Sequence, residues 1–175
     1  SGRVIALEPN PKVCERLQSH VNASRAAVVI DARALGDEPG ELTLTVIGAN
    51  TGSGTLGAIP EHLRPSIRGT YRVPVVVGDE LSANWFAAPV TARMLLKIDA
   101  EGSETRVLRG LRNTLELHRP IIVTEINPFA LRMNGSGPRV LTDFMVSLAY
   151  EGFELEARRS GLLQSQPTLG PMRPP

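Results

Sequence analysis

Apolar positions in this chain follow two patterns, short unbroken runs and runs spaced by three or four residues, and the two alternate from the start. An unbroken run bounded by turn residues reads as a strand buried in a parallel sheet, and the 3.6-residue spacing reads as a helix covering it. Arg3 to Leu7 is the first run, stopped sharply by Glu8-Pro9-Asn10-Pro11. Asn10 is placed to cap a helix with Pro11 at its first position, and Val13, Leu17 and Val21 then recur along one face. Ala26 to Ile30 is the next buried strand, closing on Asp31, and Gly36 to Gly40 makes a tight turn. Two such strand-helix-strand steps predict a right-handed, mostly parallel α/β sheet with helices on both faces.

Leu42, Leu44 and Val46 alternate with Thr43 and Thr45, the pattern of a half-buried strand, whereas Gly48 to Gly69 holds too many Gly and Pro residues for regular structure. Tyr71 to Val77 is a further strand, and with the threonine-rich one it is expected to form a small antiparallel addition. Asp79 to Phe86 is short enough for a helix of two turns carrying Trp85. Leu95 to Ile98 then runs into Asp99-Ala100-Glu101-Gly102-Ser103-Glu104, and a helix with Val107, Leu108, Leu111 and Leu115 inside ends at Arg119-Pro120. Ile121 to Thr124 ends in Glu125, with Asn127 and Pro128 just beyond. Ser136-Gly137-Pro138 opens a last helix that turns Val140, Leu141, Phe144, Met145 and Leu148 inward, and Phe153 to Ala157 reads as an edge strand. From Ser160 the composition is that of an irregular tail, so the expected organisation is one domain over residues 1–159 and a tail over 160–175.

Composition narrows the function classes. The 175 residues suffice for one well-cored domain, 42% are hydrophobic, and the formal net charge is +1. No basic block tracks a phosphate backbone, which argues against nucleic acid as partner. The single cysteine, Cys14, rules out an intramolecular disulfide framework and sits in a helical pattern, as a packed thiol does. No apolar run approaches the ~20 residues of a membrane span, and no signal peptide opens the chain, so a cytoplasmic location and a small-molecule partner are the expectation.

Chemistry concentrates at the strand ends, where open α/β sheets bind ligands. Glu8 occupies the position from which a carboxylate accepts both bonds of a ribose diol, which points to a nucleoside cofactor; its alternative role is to cap the following helix. Asp31 faces either an adenine amino group or its own turn. Asp99 and Glu101 suit a cationic centre, a hydroxyl to be deprotonated or a metal, although Lys97 points the same way as Asp99 and would form a structural ion pair with it. Glu125 and Asn127 add oxygen ligands that a hard cation such as Mg²⁺ would accept. His20, His62 and His118 are scattered without zinc-ligand spacing, and His62 alone lies where a long loop could bring it over the rim. The glycine-rich turn Gly48 to Thr55 reads either as a cofactor cradle or as a loop on the substrate side.

Taken in order, Ile5-Ala6-Leu7-Glu8-Pro9-Asn10-Pro11, Ala34-Leu35-Gly36-Asp37, Asn50-Thr51-Gly52-Ser53-Gly54-Thr55-Leu56, Leu96 to Glu104 and Ile122-Val123-Thr124-Glu125 resemble the FkbM family of S-adenosylmethionine-dependent methyltransferases. The resemblance covers about residues 3 to 157 and implies a Rossmann-like methyltransferase fold and O-methylation of sugar or polyketide hydroxyls. By position, Glu8 matches the ribose-binding acid of the family, and Asp99 the acid beside sulfonium and acceptor. The family's first strand, glycine-rich turn and helix would precede Ser1, so the domain is expected to lack its first strand-helix unit. This assigns Asp99, Glu101 and Glu125 to catalysis and Glu8, Asp31 and Asp99 to the cofactor, with no metal. Two rivals remain: a catalytically inactive remnant or binding module of the same fold, and a metal-assisted enzyme using Asp99, Glu125 and Asn127.

Overall fold

The computed structural model describes residues 3–48, 54–85, 94–156, 159–160, 163–164 and 168–172. Strand β1 (Val4–Leu7) leads into helix α1 (Pro11–Ser24), whose Asn10 cap accepts a hydrogen bond from the Lys12 amide at 3.1 Å, as its Asn-Pro signature predicts. Val13, Leu17 and Val21 are half-buried, and no α1 residue is fully buried. Strand β2 (Val28–Asp31) pairs with β1 in parallel, Val4 opposite Val28 through Leu7 opposite Asp31.

Strand β3 (Ala34–Gly36) pairs in parallel with the long strand β6 (Ile67–Val77), and β6 pairs in turn with β4 (Gly40–Ile47), antiparallel. The expected antiparallel addition is thus present. It continues into a two-residue strand β5 (Gly54–Thr55) on the far side of β4, and a 3₁₀ turn at Glu61–Ser66 gives the glycine- and proline-rich stretch more order than its composition suggests. Helix α2 (Gly78–Trp85) follows β6 directly. Ala34, Leu44, Val73 and Val75 form the smaller of two cores, beneath this sheet.

The larger core lies under the parallel pair of β7 (Leu95–Ile98) and β8 (Ile121–Thr124). Ile98 packs there against Val107 and Leu108 of α3 (Glu104–Gly110), Leu111, Leu115 of α4 (Arg112–His118), Leu131 of α5 (Pro128–Met133), Leu141 of α6 (Pro138–Ser147) and Leu148. The single helix expected from 104 to 118 is two helices, broken at Leu111. A Cβ added to Gly110 would stand 1.9 Å from the Gly36 carbonyl oxygen, so α3 lies directly against β3. Asp79 of α2 then caps the second helix from outside, accepting from the amides of Asn113 at 2.9 Å and Thr114 at 2.8 Å.

Strand β9 (Phe153–Glu156) occupies the expected edge position. Of the tail, β10 (Arg159–Ser160) pairs with β11 (Leu163–Gln164), and β12 (Thr168–Pro171) runs antiparallel to β9. The irregular tail expected from Ser160 is therefore corrected over these strands: Leu169 and its neighbours hydrogen-bond to β9, a long-range pairing that composition does not register. The architecture is mixed α/β. Its parallel pairs β1–β2 and β7–β8 are separate two-stranded sheets among the described residues, not strands of one continuous sheet.

The contact between α3 and β3 yields the first prediction. Gly110→Ala should lose about 1–3 kcal/mol in urea melts, the usual cost of forcing atoms into a packed interior, whereas Gly40→Ala, whose added Cβ meets nothing within 4 Å, should stay within about 0.5 kcal/mol of the parent.

Candidate active site

The ten residues from Leu95 to Glu104 build the site. Along β7 the pleat sends Leu96 and Ile98 toward the core and leaves Leu95 and Lys97 exposed. The strand ends at Ile98, and after Asp99 and Ala100 Glu101 takes a left-handed backbone with φ of 48°, followed by Gly102 at φ 100°. A left-handed residue with a side chain costs roughly 1–2 kcal/mol, so the surrounding structure must hold it there. Glu104, 2% exposed, does so: its Oε1 accepts from the amides of Ala100 at 3.0 Å and Gly102 at 3.1 Å. Its Oε2 is buried and has no partner among the described residues.

A second set of bonds grips the same turn from the other side. The Asn134 amide donates to the Glu101 carbonyl at 3.4 Å, to Thr55 Oγ1 at 3.3 Å and to the Ala130 carbonyl at 3.0 Å, while its Oδ1 accepts from Ser103 Oγ at 3.1 Å. Thr55 also donates its hydroxyl to the Glu101 carbonyl. Gly102 is required here, because a Cβ would stand 2.2 Å from the Ala130 carbonyl oxygen. The turn between β7 and α3 is thereby locked to β5 and α5.

Against it opens a cavity of about 140 Å³ lined by Ile47, Thr55, Leu63, Glu101, Phe129 and Met133, together with Gly54, Asn127 and Ala130. The Glu101 carboxyl makes no hydrogen bond to another described residue. Burial pushes its pKa above the ordinary glutamate value, and the nearby carboxylates of Glu125, Asp99 and Glu104 push it further in the same direction. The carboxylates of Asp99 and Glu125 thus lie close enough to that of Glu101 to act on it, while Glu101 alone of the three lines the cavity.

Their roles separate. Asp99 is exposed and bonded to Lys97 Nζ at 2.7 Å, the ion pair that was the alternative reading. Glu125 is exposed at the end of β8. Asn127 is no free oxygen ligand, because its Oδ1 caps α5 by accepting from the Phe129 and Ala130 amides at 3.1 Å each. No cluster of three His, Cys, Asp or Glu side chains able to hold a metal occurs among the described residues.

Glu8 and Asp31 form a second cluster at the tips of β1 and β2, where the Glu8 amide donates to the Asp31 carbonyl at 3.0 Å. Glu8 is half-buried. One carboxylate oxygen accepts from the Asn10 amide at 2.8 Å, and burial raises its pKa. Asp31 is held by Arg33 through both carboxylate oxygens, at 2.8 and 2.6 Å, and that hydrogen-bonded pairing lowers its pKa. Its carboxylate is thus already engaged where an adenine contact was expected. Cys14 donates its thiol to the Glu8 carbonyl at 2.8 Å, and burial, with Glu8 and Asp31 nearby, keeps it protonated, a packed thiol. His62 is exposed in the 3₁₀ turn, next to Leu63 of the cavity. Residues 49–53 of the glycine-rich turn and the Trp85 side chain lie outside the described residues.

Carboxylates at parallel strand ends stand where open α/β sheets bind ligands, and the comparisons place the chain in a methyltransferase family. The family model described as "Methyltransferase FkbM domain" matches residues 1–155, and the chain belongs to that family. It is similar to the hexuronic acid methyltransferase AglP of Haloferax volcanii, with 29% identity over 126 residues, or 69% of this chain and 46% of AglP. The chain spans about half the length of that relative. No solved structure matches it.

Sequence reasoning missed Glu104, Thr55 and Asn134, which act through the turn and not on its surface. The ordinary look of Glu104, an acid in the first turn of a helix, concealed its burial.

The raised pKa of Glu101 fixes a sign. A carboxyl whose folded pKa lies above its unfolded value favours folding only while protonated, so this contribution is complete below the unfolded pKa, about 4.3, and is lost as pH rises through the folded one. Glu101→Gln should accordingly melt higher than the parent at pH 7 in calorimetric scans, with the difference vanishing at pH values below about 4.

Proposed function

We propose that this chain is the methyltransferase part of an S-adenosylmethionine-dependent enzyme that methylates a hydroxyl on a small molecule of sugar or polyketide type. The supporting observation is the Glu101 turn: a partly desolvated carboxyl without a hydrogen-bond partner among the described residues, beside a cavity, in a chain of the FkbM family. When bound, the cofactor would supply a methyl group on a sulfonium, open to in-line displacement by an oxygen nucleophile.

The residues present fit the ribose end of that cofactor. Glu8 stands at a strand tip with one carboxylate oxygen bonded to Asn10 and the other unengaged among the described residues, so it can accept from a ribose hydroxyl. Asp31, held by Arg33, would support the same pocket by orientation more than by direct contact with adenine.

Glu101 is the best placed of the rim acids to take a proton from the acceptor hydroxyl. General bases work best with a pKa close to the working pH, and desolvation moves Glu101 in that direction. Asp99, paired with Lys97, contributes a fixed negative potential toward a cationic centre, and Glu125 orients the acceptor. Most of the rate would come from holding acceptor and methyl donor in line in a water-poor cleft.

The test combines binding and kinetics. Calorimetry should detect micromolar S-adenosylmethionine, weakened about tenfold in Glu8→Gln by loss of one charge-assisted bond; no binding at millimolar cofactor would favour the inactive-remnant reading. Glu101→Gln should lower kcat by about 10²-fold or more, the usual worth of a general base, with Asp99→Asn costing less. Activity should fall as pH drops through a Glu101 pKa lying above the ordinary glutamate value.

A further inference from the structure

The cavity beside Glu101 has a composition that selects among acceptors. At about 140 Å³ it is the size of a single six-membered ring, since an apolar cavity of about 150 Å³ in another protein holds one benzene. Ile47, Leu63, Phe129, Ala130 and Met133 supply apolar walls. Two of the three polar side chains that line it are already engaged: Thr55 Oγ1 in bonds with Gly57, Glu101 and Asn134, and Asn127 Oδ1 in the cap of α5. The third is the Glu101 carboxyl, which has no hydrogen-bond partner among the described residues. None of the lining residues carries a positive charge. The carboxylates of Asp99, Glu104 and Glu125 lie close enough to Glu101 to oppose its charge, and the Lys97 ammonium is bonded to Asp99.

We propose that this cavity is the acceptor subsite and that Glu101 makes it a charge filter, admitting a compact uncharged ring whose hydroxyl meets the carboxyl and rejecting a ring that carries a carboxylate. This rests on the methyl-transfer reading and deepens it. A hydroxyl can donate to Glu101 while the ring's C–H face lies on the apolar wall. A carboxylate in the same place would meet Glu101 with no cation among the described lining residues to neutralise either, and like charges brought together there repel. The filter depends on Glu101 keeping its left-handed backbone, because a relaxed turn would let the side chain swing into solvent. Glu104 and Asn134 are accordingly positioning residues for it. Selection of this sign separates the chain from AglP, whose name specifies a hexuronic acid.

Saturation-transfer NMR on the full chain tests this with cyclohexanol and cyclohexanecarboxylate, rings of one size that differ in charge. At pH 7.5 cyclohexanol should bind at least about tenfold more tightly than the carboxylate, and Glu101→Gln should bring the two within about threefold, since the substitution removes the repulsion and keeps the shape. Phe129→Ala, at a half-exposed wall residue, should weaken both probes equally and so locate the site. Equal affinities in the parent chain, binding of neither probe, an unchanged preference in Glu101→Gln, or unchanged binding in Phe129→Ala would each overturn the proposal. Cofactor calorimetry on the same sample reports separately: probes discriminated without S-adenosylmethionine binding would leave the filter standing and remove the methyl-transfer reading.

Discussion

The turn between β7 and α3 depends on one buried carboxylate. Glu104 binds the amides of Ala100 and Gly102 through a single oxygen and leaves the other without a partner, an arrangement costly in itself because a buried unsatisfied acceptor costs about 1–3 kcal/mol. What it secures is the left-handed conformation of Glu101. Thr55 and Asn134 close the same turn from β5 and the end of α5, so two elements far apart in sequence converge on the Glu101 carbonyl. A strained residue fixed from several directions is the arrangement expected where backbone conformation sets the aim of a side chain.

The two parallel pairs show a related tension between pattern and packing. Strands in parallel sheets are ordinarily covered on both faces, and β7 and β8 are written that way, with Leu96, Ile98 and Ile122 toward the larger core and Leu95, Ile121 and Val123 away from it. Among the described residues only the first set is covered, and Leu95, Ile121 and Val123 are 64%, 60% and 46% exposed. Val4 of β1 and Val29 of β2 are likewise exposed. The apolar runs therefore encode more burial than these pairs achieve, and for that reason a continuous sheet is legible in the sequence while separate pairs are found. Glu8 and the rim acids accordingly sit on different sheets.

Local signals were read well where the chain's own neighbours decide the outcome. The Asn10-Pro11 cap, the alternation of Leu42, Leu44 and Val46, and the antiparallel partner at Tyr71 to Val77 all followed from spacing and turn chemistry. Asn127-Pro128 carries the same cap signature as Asn10-Pro11, yet its place beyond an acidic strand end made it read as a ligand, and helix α5 was overlooked. The rest was set by contacts distant in sequence. Gly110 breaks its helix where it meets Gly36, and β12 is ordered by β9, 12 or more residues earlier. Glu104 and Asn134, 30 positions apart, have no joint signature along the chain.

Tertiary contact also redistributes the chemistry among the rim acids. Pattern alone favoured Asp99, which ends the strand and matches the acid of the family motif. Asp99, however, is exposed and its carboxylate is bonded to Lys97, which leaves it facing water and its partner more than the cavity. Glu101 is in the opposite condition: partly desolvated, without a hydrogen-bond partner among the described residues, and near carboxylates that resist its ionisation. Each of these raises its affinity for a proton, which is what a group that must take one from a hydroxyl requires.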